Sequence, residues 1–253
     1  MLSKAVIKHL RSLHLKKFRD REALFLVEGP KMVQEVLRSG HWKVQDIFAV
    51  DDWMAPAESS HVPLTRVTSE ELRQISSHMS PNKVLAVVRY AVNTPVPSVP
   101  EKGLHLLIDQ VQDPGNLGTM IRIADWFGID SVICSPDTVD LYNPKTIQAT
   151  MGSVFRVPVR YTPLSELLGK NREGAGLKVY ATLLEGDNLY QADLSKDAFV
   201  IMGNESRGVN PLLIQFINKS LHIPTRMKSN EHAESLNVAI ATGIVCSEWA
   251  SRL

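Results

Sequence analysis

The sequence predicts an α/β protein in two parts, a small mixed α/β unit followed by a larger unit built on a mainly parallel sheet. Two observations carry that expectation. From Leu104 onward, short apolar segments alternate with helical ones, the pattern of strands joined by crossover helices that cover both faces of a sheet. Ahead of them, residues 91–103 (AVNTPVPSVPEKG) hold three prolines and few large apolar groups, which favours an extended, semi-rigid connector. The expected division is therefore 1–92, a linker at 93–103, and 104–253. A chain of 253 residues, 44% hydrophobic and 22% charged, has ordinary globular composition and enough length to bury a substantial core.

In the first part, a basic helix is expected from about Ser3 to Lys17. It precedes a strand at LFLVEG (24–29) and a helix from Pro30 to Arg38 that ends before Gly40. Further strands are expected at VQDIFAV (44–50) and KVLAVVRY (83–90), with a helix around Glu70 to Ser77 between them. In the second part, LHLLID (104–109), a helix from Leu117 to Phe127 closed by Gly128, and SVICS (131–135) form a βαβ unit. Asn143-Pro144 reads as an N-cap followed by proline at the first helical position, and Asn210-Pro211 repeats the device ahead of PLLIQFI (211–217). Strands are expected at FRVPVRY (155–161), KVYATLL (178–184), AFVIMG (198–203) and LHIP (221–224), and a terminal helix from Ser235 to Ser251.

Composition excludes several classes of protein. Cys134 and Cys246 lack C-x-x-C partners, so neither a disulfide framework nor a thiolate zinc site is indicated; no metal site is expected, and a reducing cytoplasm fits. The most apolar stretch, Leu236 to Ala250, is interrupted by Asn237, Thr242, Ser247 and Glu248, so no membrane partner is expected. The basic start runs directly into a structured segment without a cleavage site, against a transit peptide. The formal net charge of +1 hides a basic N-terminus in which Lys4, Lys8, Arg11, Lys16, Lys17, Arg19 and Arg21 face one acid, Asp20. Such a cluster neutralises phosphates, or else is a solvated helix face.

Three segments of the second part carry candidate chemistry. The first, Asp113-Pro114-Gly115-Asn116-Leu117-Gly118-Thr119-Met120-Ile121-Arg122, lies between a strand end and a helix, where α/β sheets gather ligands. Its G-x-x-G is not the G-x-G-x-x-G of dinucleotide sites, which counts against a nicotinamide-dependent oxidoreductase. Taken alone, Asn116 reads as a helix cap and Arg122 as a solvent-facing cation. The second, Gly203-Asn204-Glu205-Ser206-Arg207-Gly208, is a polar loop bracketed by glycines, and in isolation also fits a plain connection. The third joins Ile223-Pro224 to Ser235-Leu236-Asn237-Val238-Ala239, with Ser235 as a natural N-cap and Asn237 offering its amide beside the free N–H groups of the first turn.

Together, N-x-x-x-x-x-R, G-N-E-x-x-G and I-P followed by S-L-N-V-A resemble, in order, the three motifs of the SpoU (TrmH-like) ribose methyltransferases of the SPOUT superfamily. Lys16-Lys17-Phe18-Arg19 and Phe25 to Lys31 are similar to the small RNA-binding domain, with a ribosomal-protein-like fold, often fused to them. The resemblance implies a deep trefoil knot in the second part, a homodimer formed through it, and S-adenosylmethionine held at Thr182, Leu183, Gly203, Ile223 and Leu236. It further implies an RNA substrate, ribosomal before transfer RNA and not DNA, with Asn116, Arg122, Glu205, Ser235 and Asn237 as catalytic residues. The RNA contacts it points to are Lys4, Lys8, Arg11, Lys16, Lys17, Arg19, Lys31 and Arg207. Arg122 is expected to bind the phosphate beside the target ribose, and either it or Glu205 to take the hydroxyl proton; an arginine is the poorer base. The sequence departs from the family pattern in its long, glycine-free loop Arg226 to Glu234 and in Ser206-Arg207. A catalytically silent RNA-binding or ribosome-assembly protein on the same fold, and methylation of a base instead of a ribose, are the alternatives.

Overall fold

The basic N-terminal segment, expected as one helix, is two: α1 (Lys4–Ser12) and α2 (Lys16–Glu22). The break has a physical cause. Leu10 and Leu13 are buried, and Arg19 turns inward, donating from Nη1 to the carbonyls of Leu13 (3.0 Å) and His14 (2.8 Å) that α1 leaves free at its end. Its Nη2 donates to Asp140 Oδ2 at 2.6 Å. Arg19, with 2% of its surface exposed, is therefore a core ion pair and not an RNA contact. Lys4, Lys8, Arg11, Lys16, Lys17 and Lys31 are exposed, Lys16 being paired with Asp20.

The computed structural model describes residues 1–90, 99–174, 176–226 and 233–252. In the first unit, Met1–Thr94 with Asp140–Arg156, β1 (Leu24–Glu28), β2 (Val44–Ala49), β3 (Leu64–Arg66) and β4 (Val84–Arg89) form a mixed sheet in the order β1-β4-β2-β3. Helices α3 (Pro30–Arg38) and α4 (Ser69–Ile75) accompany it, α4 opened by a capping box between Thr68 and Glu71. The buried carboxylate of Glu28 accepts hydrogen bonds from both hydroxyls of Ser76 and Ser77 and from the Ser77 amide, fixing the turn after α4. β3 was not legible in the sequence: three exposed residues carry no apolar pattern.

The second unit, Pro95–Val139 with Val157–Leu253, holds β5 (Leu104–Ile108), α5 (Pro114–Phe127) and β6 (Ser131–Cys134). The chain then contributes α6 (Pro144–Thr150) to the first unit, where it packs on β1, so the expected 104–253 segment is interrupted at 140–156. It returns for β7 (Val159–Tyr161), α7 (Leu164–Glu173), β8 (Lys178–Asn188), β9 (Ala198–Met202), α8 (Pro211–Ile214), β10 (Lys219–His222) and α9 (Val238–Ala250). All six strands are parallel, in the order β10-β8-β9-β5-β6-β7. Central β5 and β9 are buried at every position, as sheets covered on both faces require.

One face packs on α7 and α8 through Leu164, Leu167, Leu168 and Leu213. The other packs on α9 through Tyr180 and Trp249, edge to face at 5.1 Å, with α5 beside α9. Helix α7 went unrecognised in the sequence, and the expected strand at 155–161 shortens to β7 after a 3-10 turn at Ser153–Phe155. Helix α8 is one turn long, and β10 begins two residues earlier than expected. The expected linker at 93–103 lies largely, and the loop Arg226 to Glu234 mostly, outside the described residues. Among the described residues no helix is long and apolar enough to cross a membrane.

Because Arg19 is buried and Asp140 largely shielded, their side chains 3% and 14% exposed, removing one partner leaves the other poorly compensated. Arg19→Ala is expected to lower unfolding stability by about 3 kcal/mol in urea titrations, whereas Lys8→Ala changes it by under about 0.5 kcal/mol. An Arg19→Ala variant as stable as the parent contradicts the core role.

Candidate active site

Strands β5 and β9 are neighbours, yet they send their chains to opposite faces: β5 leads to α5 and β9 to α8. A crevice opens outside the carboxyl ends of two such strands, which is where open α/β sheets bind ligands. Here it is a cleft of about 1070 Å³ lined by residues following both strands, among them Gln110, Asn116, Glu205 and Arg207, together with Asp137 after β6 and Asn237 ahead of α9.

Each segment that reaches the cleft is locally fixed. At the start of α5, Asp113 is the N-cap, its Oδ1 accepting from the Asn116 amide at 2.7 Å, with Pro114 in the first turn. Asn116 is therefore not the cap, and its side chain is free for other partners. After β9, Gly203 and Gly208 allow the loop to close on itself. A Cβ on Gly203 would lie 2.5 Å from the Gly208 carbonyl carbon, and Gly208 adopts φ +68°. Asn204 and Gly208 exchange two backbone hydrogen bonds of 2.9 Å, and Asn204 Oδ1 accepts from the amides of Ser206 (2.9 Å) and Arg207 (3.0 Å). At α9 the N-cap is Asn237, accepting from Ala239 (3.0 Å) and Ile240 (3.3 Å), in place of the expected Ser235.

The three segments then join. Asn237 Nδ2 donates to Asn116 Oδ1 at 3.0 Å, and Asn116 Nδ2 donates to Glu205 Oε1 at 2.6 Å. Neither amide can be reversed: a carboxylate only accepts, and the cap on α9 claims the Asn237 oxygen. Of the expected catalytic residues, Asn116, Glu205 and Asn237 are thus in one network. Ser235 is exposed just outside it, and Arg122 is exposed on α5 and does not line the cleft. Six residues past Asn116, Arg122 points about 240° round the helix. Arg207 does line the cleft, as do the acidic residues Asp113, Asp137 and Glu205. Beneath the cleft, burial raises the pKa of Asp109, its hydrogen bond from the Asn210 amide opposes that shift, and nearby Asp137 adds to it.

The expected cofactor positions lie on three adjacent strands: Thr182 and Leu183 in the middle of β8, just past its last pairing with β9 at Ala181, Gly203 directly after β9 and Ile223 directly after β10. Thr182 Oγ1 donates to the Ile201 carbonyl at 3.3 Å, while Leu236 is exposed before the α9 cap. Gln110, Gln112 and Asp137 line the cleft without having been singled out from the sequence, which marks them only by position after β5 and β6. The Asp113 cap had a signal: Asp113-Pro114 repeats the device read at Asn143-Pro144 and Asn210-Pro211.

A parallel sheet with a three-segment polar site at its switch point, lacking a dinucleotide glycine fingerprint, defines the class of the protein. Residues 103–247 match the model of the SpoU rRNA Methylase family, and the chain belongs to that family. Residues 4–86 match the MRM3-like substrate binding domain. The chain is 34% identical to the Bacillus subtilis 23S rRNA (guanosine(2553)-2'-O)-methyltransferase RlmP over 94% of this chain and 93% of that protein. Among solved structures it is similar to an RNA methyltransferase of the TrmH family from Porphyromonas gingivalis, 37% identical, TM-score 0.86, covering 100% of both chains. It is also similar to an AdoMet-bound rRNA methyltransferase from Sinorhizobium meliloti, 30% identical, TM-score 0.86, covering 100% of this chain and 97% of that one.

The network predicts a charge-specific defect in Asn116→Asp. That variant faces Glu205 with a second carboxylate, so its folded state takes up a proton more readily than its unfolded state. The penalty is therefore fully present at pH 8 and is mostly lost as pH falls through the carboxylate range to about 3.5. In this solvated cleft it amounts to about 1 kcal/mol. Thermal unfolding at the two pH values should show the larger deficit at pH 8; equal deficits contradict the contact.

Proposed function

We propose that this chain methylates a ribose 2′-hydroxyl of ribosomal RNA. It is an S-adenosylmethionine-dependent RNA 2′-O-methyltransferase of the SpoU family, and the observation that carries the reading is the Asn237-Asn116-Glu205 network, which brings all three family motifs to one cleft. The ribosomal target is supported by the names of its relatives.

S-adenosylmethionine supplies an electrophilic methyl group on a sulfonium. Thr182, Leu183, Gly203, Ile223 and Leu236 would hold it, a set rich in backbone and apolar groups that suits a neutral purine better than a pyrophosphate. The protein's share is alignment of the 2′-oxygen and removal of its proton. Glu205 takes the proton, fixed in place by the Asn116 amide. Asn237 holds Asn116 and the start of α9 in one position, and Ser235 borders the ribose. A substrate carrying a 2′-hydroxyl accounts for RNA over DNA.

Arg122 binds the phosphate beside the target ribose, and residues of two subunits complete the site. In support, Arg122 stands away from its own chain's cleft on a helix that also exposes Trp126 (83%). The adjoining α9 exposes Ile240. Large apolar side chains exposed on adjoining helices mark an interaction surface, and a second copy of the same pair of helices covers it symmetrically. The return of the chain from edge strand β10 to α9, beside α5, supports the knotted path of the family. Both cysteines are free and buried, in keeping with a reducing cytoplasm.

In the first unit, Lys4, Lys8 and Arg11 line a groove of about 380 Å³ with Ile7 and Gln74 and track the RNA backbone, joined by Lys16, Lys17 and Lys31, with Arg207 at the cleft. The spacing i, i+4, i+7 sets the three cations of α1 along one face. Replacing all three by alanine should reduce the slope of log affinity against log salt by about 2 to 3, leaving S-adenosylmethionine affinity unchanged. An unchanged slope contradicts this contact surface.

Mass spectrometry of nucleosides from ribosomal RNA incubated with protein and methyl donor should yield one 2′-O-methylnucleoside, with Arg122→Ala reducing the rate on the order of 100-fold. A methylated base, or no product, overturns the reading; parental turnover by Arg122→Ala removes Arg122 from the mechanism.

A further inference from the structure

The loop that carries Glu205 is held at both ends by two consecutive residues, Asp109 and Gln110, at the end of β5. At the exit of the loop, Asp109 Oδ2 accepts from the Asn210 amide at 2.7 Å. At its entry, the Gln110 carbonyl accepts from Asn204 Nδ2 at 2.8 Å. The pair is itself pinned: the Asp109 amide donates to the Met202 carbonyl at 2.9 Å, and the Gln110 amide to Ser135 Oγ at 2.9 Å. Gln110 takes φ +58°, a conformation costly for a residue with a side chain and kept only where surrounding contacts enforce it.

Asp109 is 2% exposed, no cation pairs with it among the described residues, and it does not line the cleft. A carboxyl group buried without a counter-charge is destabilising, and shape alone would be served by an apolar side chain. Among the described residues, the hydrogen-bond partner of its side chain is the Asn210 backbone amide, which ends the Glu205 loop. We propose that Asp109 is a positioning residue for methyl transfer, an acceptor that fixes the loop Gly203 to Asn210 and, through it, the location of Glu205. This rests on Glu205 taking part in the reaction. What the position requires is an acceptor atom rather than a charge, since an asparagine oxygen meets the Asn210 N–H equally well.

The test compares the full-length protein with Asp109→Asn, Asp109→Ala and Glu205→Ala, reading amide hydrogen exchange by mass spectrometry and single-turnover methyl transfer. Asp109→Ala should speed exchange over residues 203–210 by at least about tenfold and slow methyl transfer by a similar factor, with Asp109→Asn within about threefold of the parent in both. If Asp109→Ala does not fold, Asp109→Leu fills the space without an acceptor and takes its place. Unchanged loop exchange with a slow Glu205→Ala overturns the role of Asp109 alone. Loss in Asp109→Asn equal to that in Asp109→Ala also overturns it. Parental turnover by Glu205→Ala overturns the reading of Glu205, and with it the consequence assigned to Asp109 in methyl transfer.

Discussion

The arrangement depends on a directional constraint in one hydrogen-bond chain. The free N–H groups at the start of α9 can only donate, and the carboxylate of Glu205 can only accept. Between them stand two amides, each with one end of either kind, so Asn237 and Asn116 have a single consistent orientation. Three loops that leave the sheet at different points are thereby registered to one another by polarity as well as by packing. A hydroxyl at either position would lack the second, opposite group at the right distance, and a carboxylate would face its own kind.

The fold exists, in this view, to bring the ends of that chain together. Parallel strands gather all loops of one kind at one edge, and the divergence of β5 and β9 toward opposite faces leaves the crevice open between them. The same economy governs the local caps. Asp113 serves the first turn of α5 and so releases Asn116, whereas Asn237 serves α9 and the network at once. In the first unit the cations divide likewise. Arg19 closes the end of α1 and pairs with Asp140 in the core, which leaves α1 to present Lys4, Lys8 and Arg11 outward.

Much of this was legible in the sequence, for identifiable reasons. The buried strands β5 and β9, the Asn-Pro caps and the glycine closing α5 are local signals, and local signals survive in one dimension. Asn116, Glu205 and Asn237 emerged only jointly, because each alone fits a cap or a turn. Arg19 was misread because seven cations near the start look alike until the core selects one of them. Helix α7 was missed between two apolar strands, and the transfer of residues 140–156 to the first unit has no sequence mark, being decided by packing on β1. Asp109 escaped notice as the last residue of an apolar run, its partner 101 positions away in the chain.

The central claim, that Asn116 and Glu205 act as one unit, is tested most directly by a double-mutant cycle on single-turnover methyl transfer to ribosomal RNA, using Asn116→Ala, Glu205→Ala and the double variant. If the network is one unit, the double variant is no slower than the slower single variant, because the second substitution removes a group already displaced. Fully multiplicative losses would show that the two residues act independently, and would contradict the account.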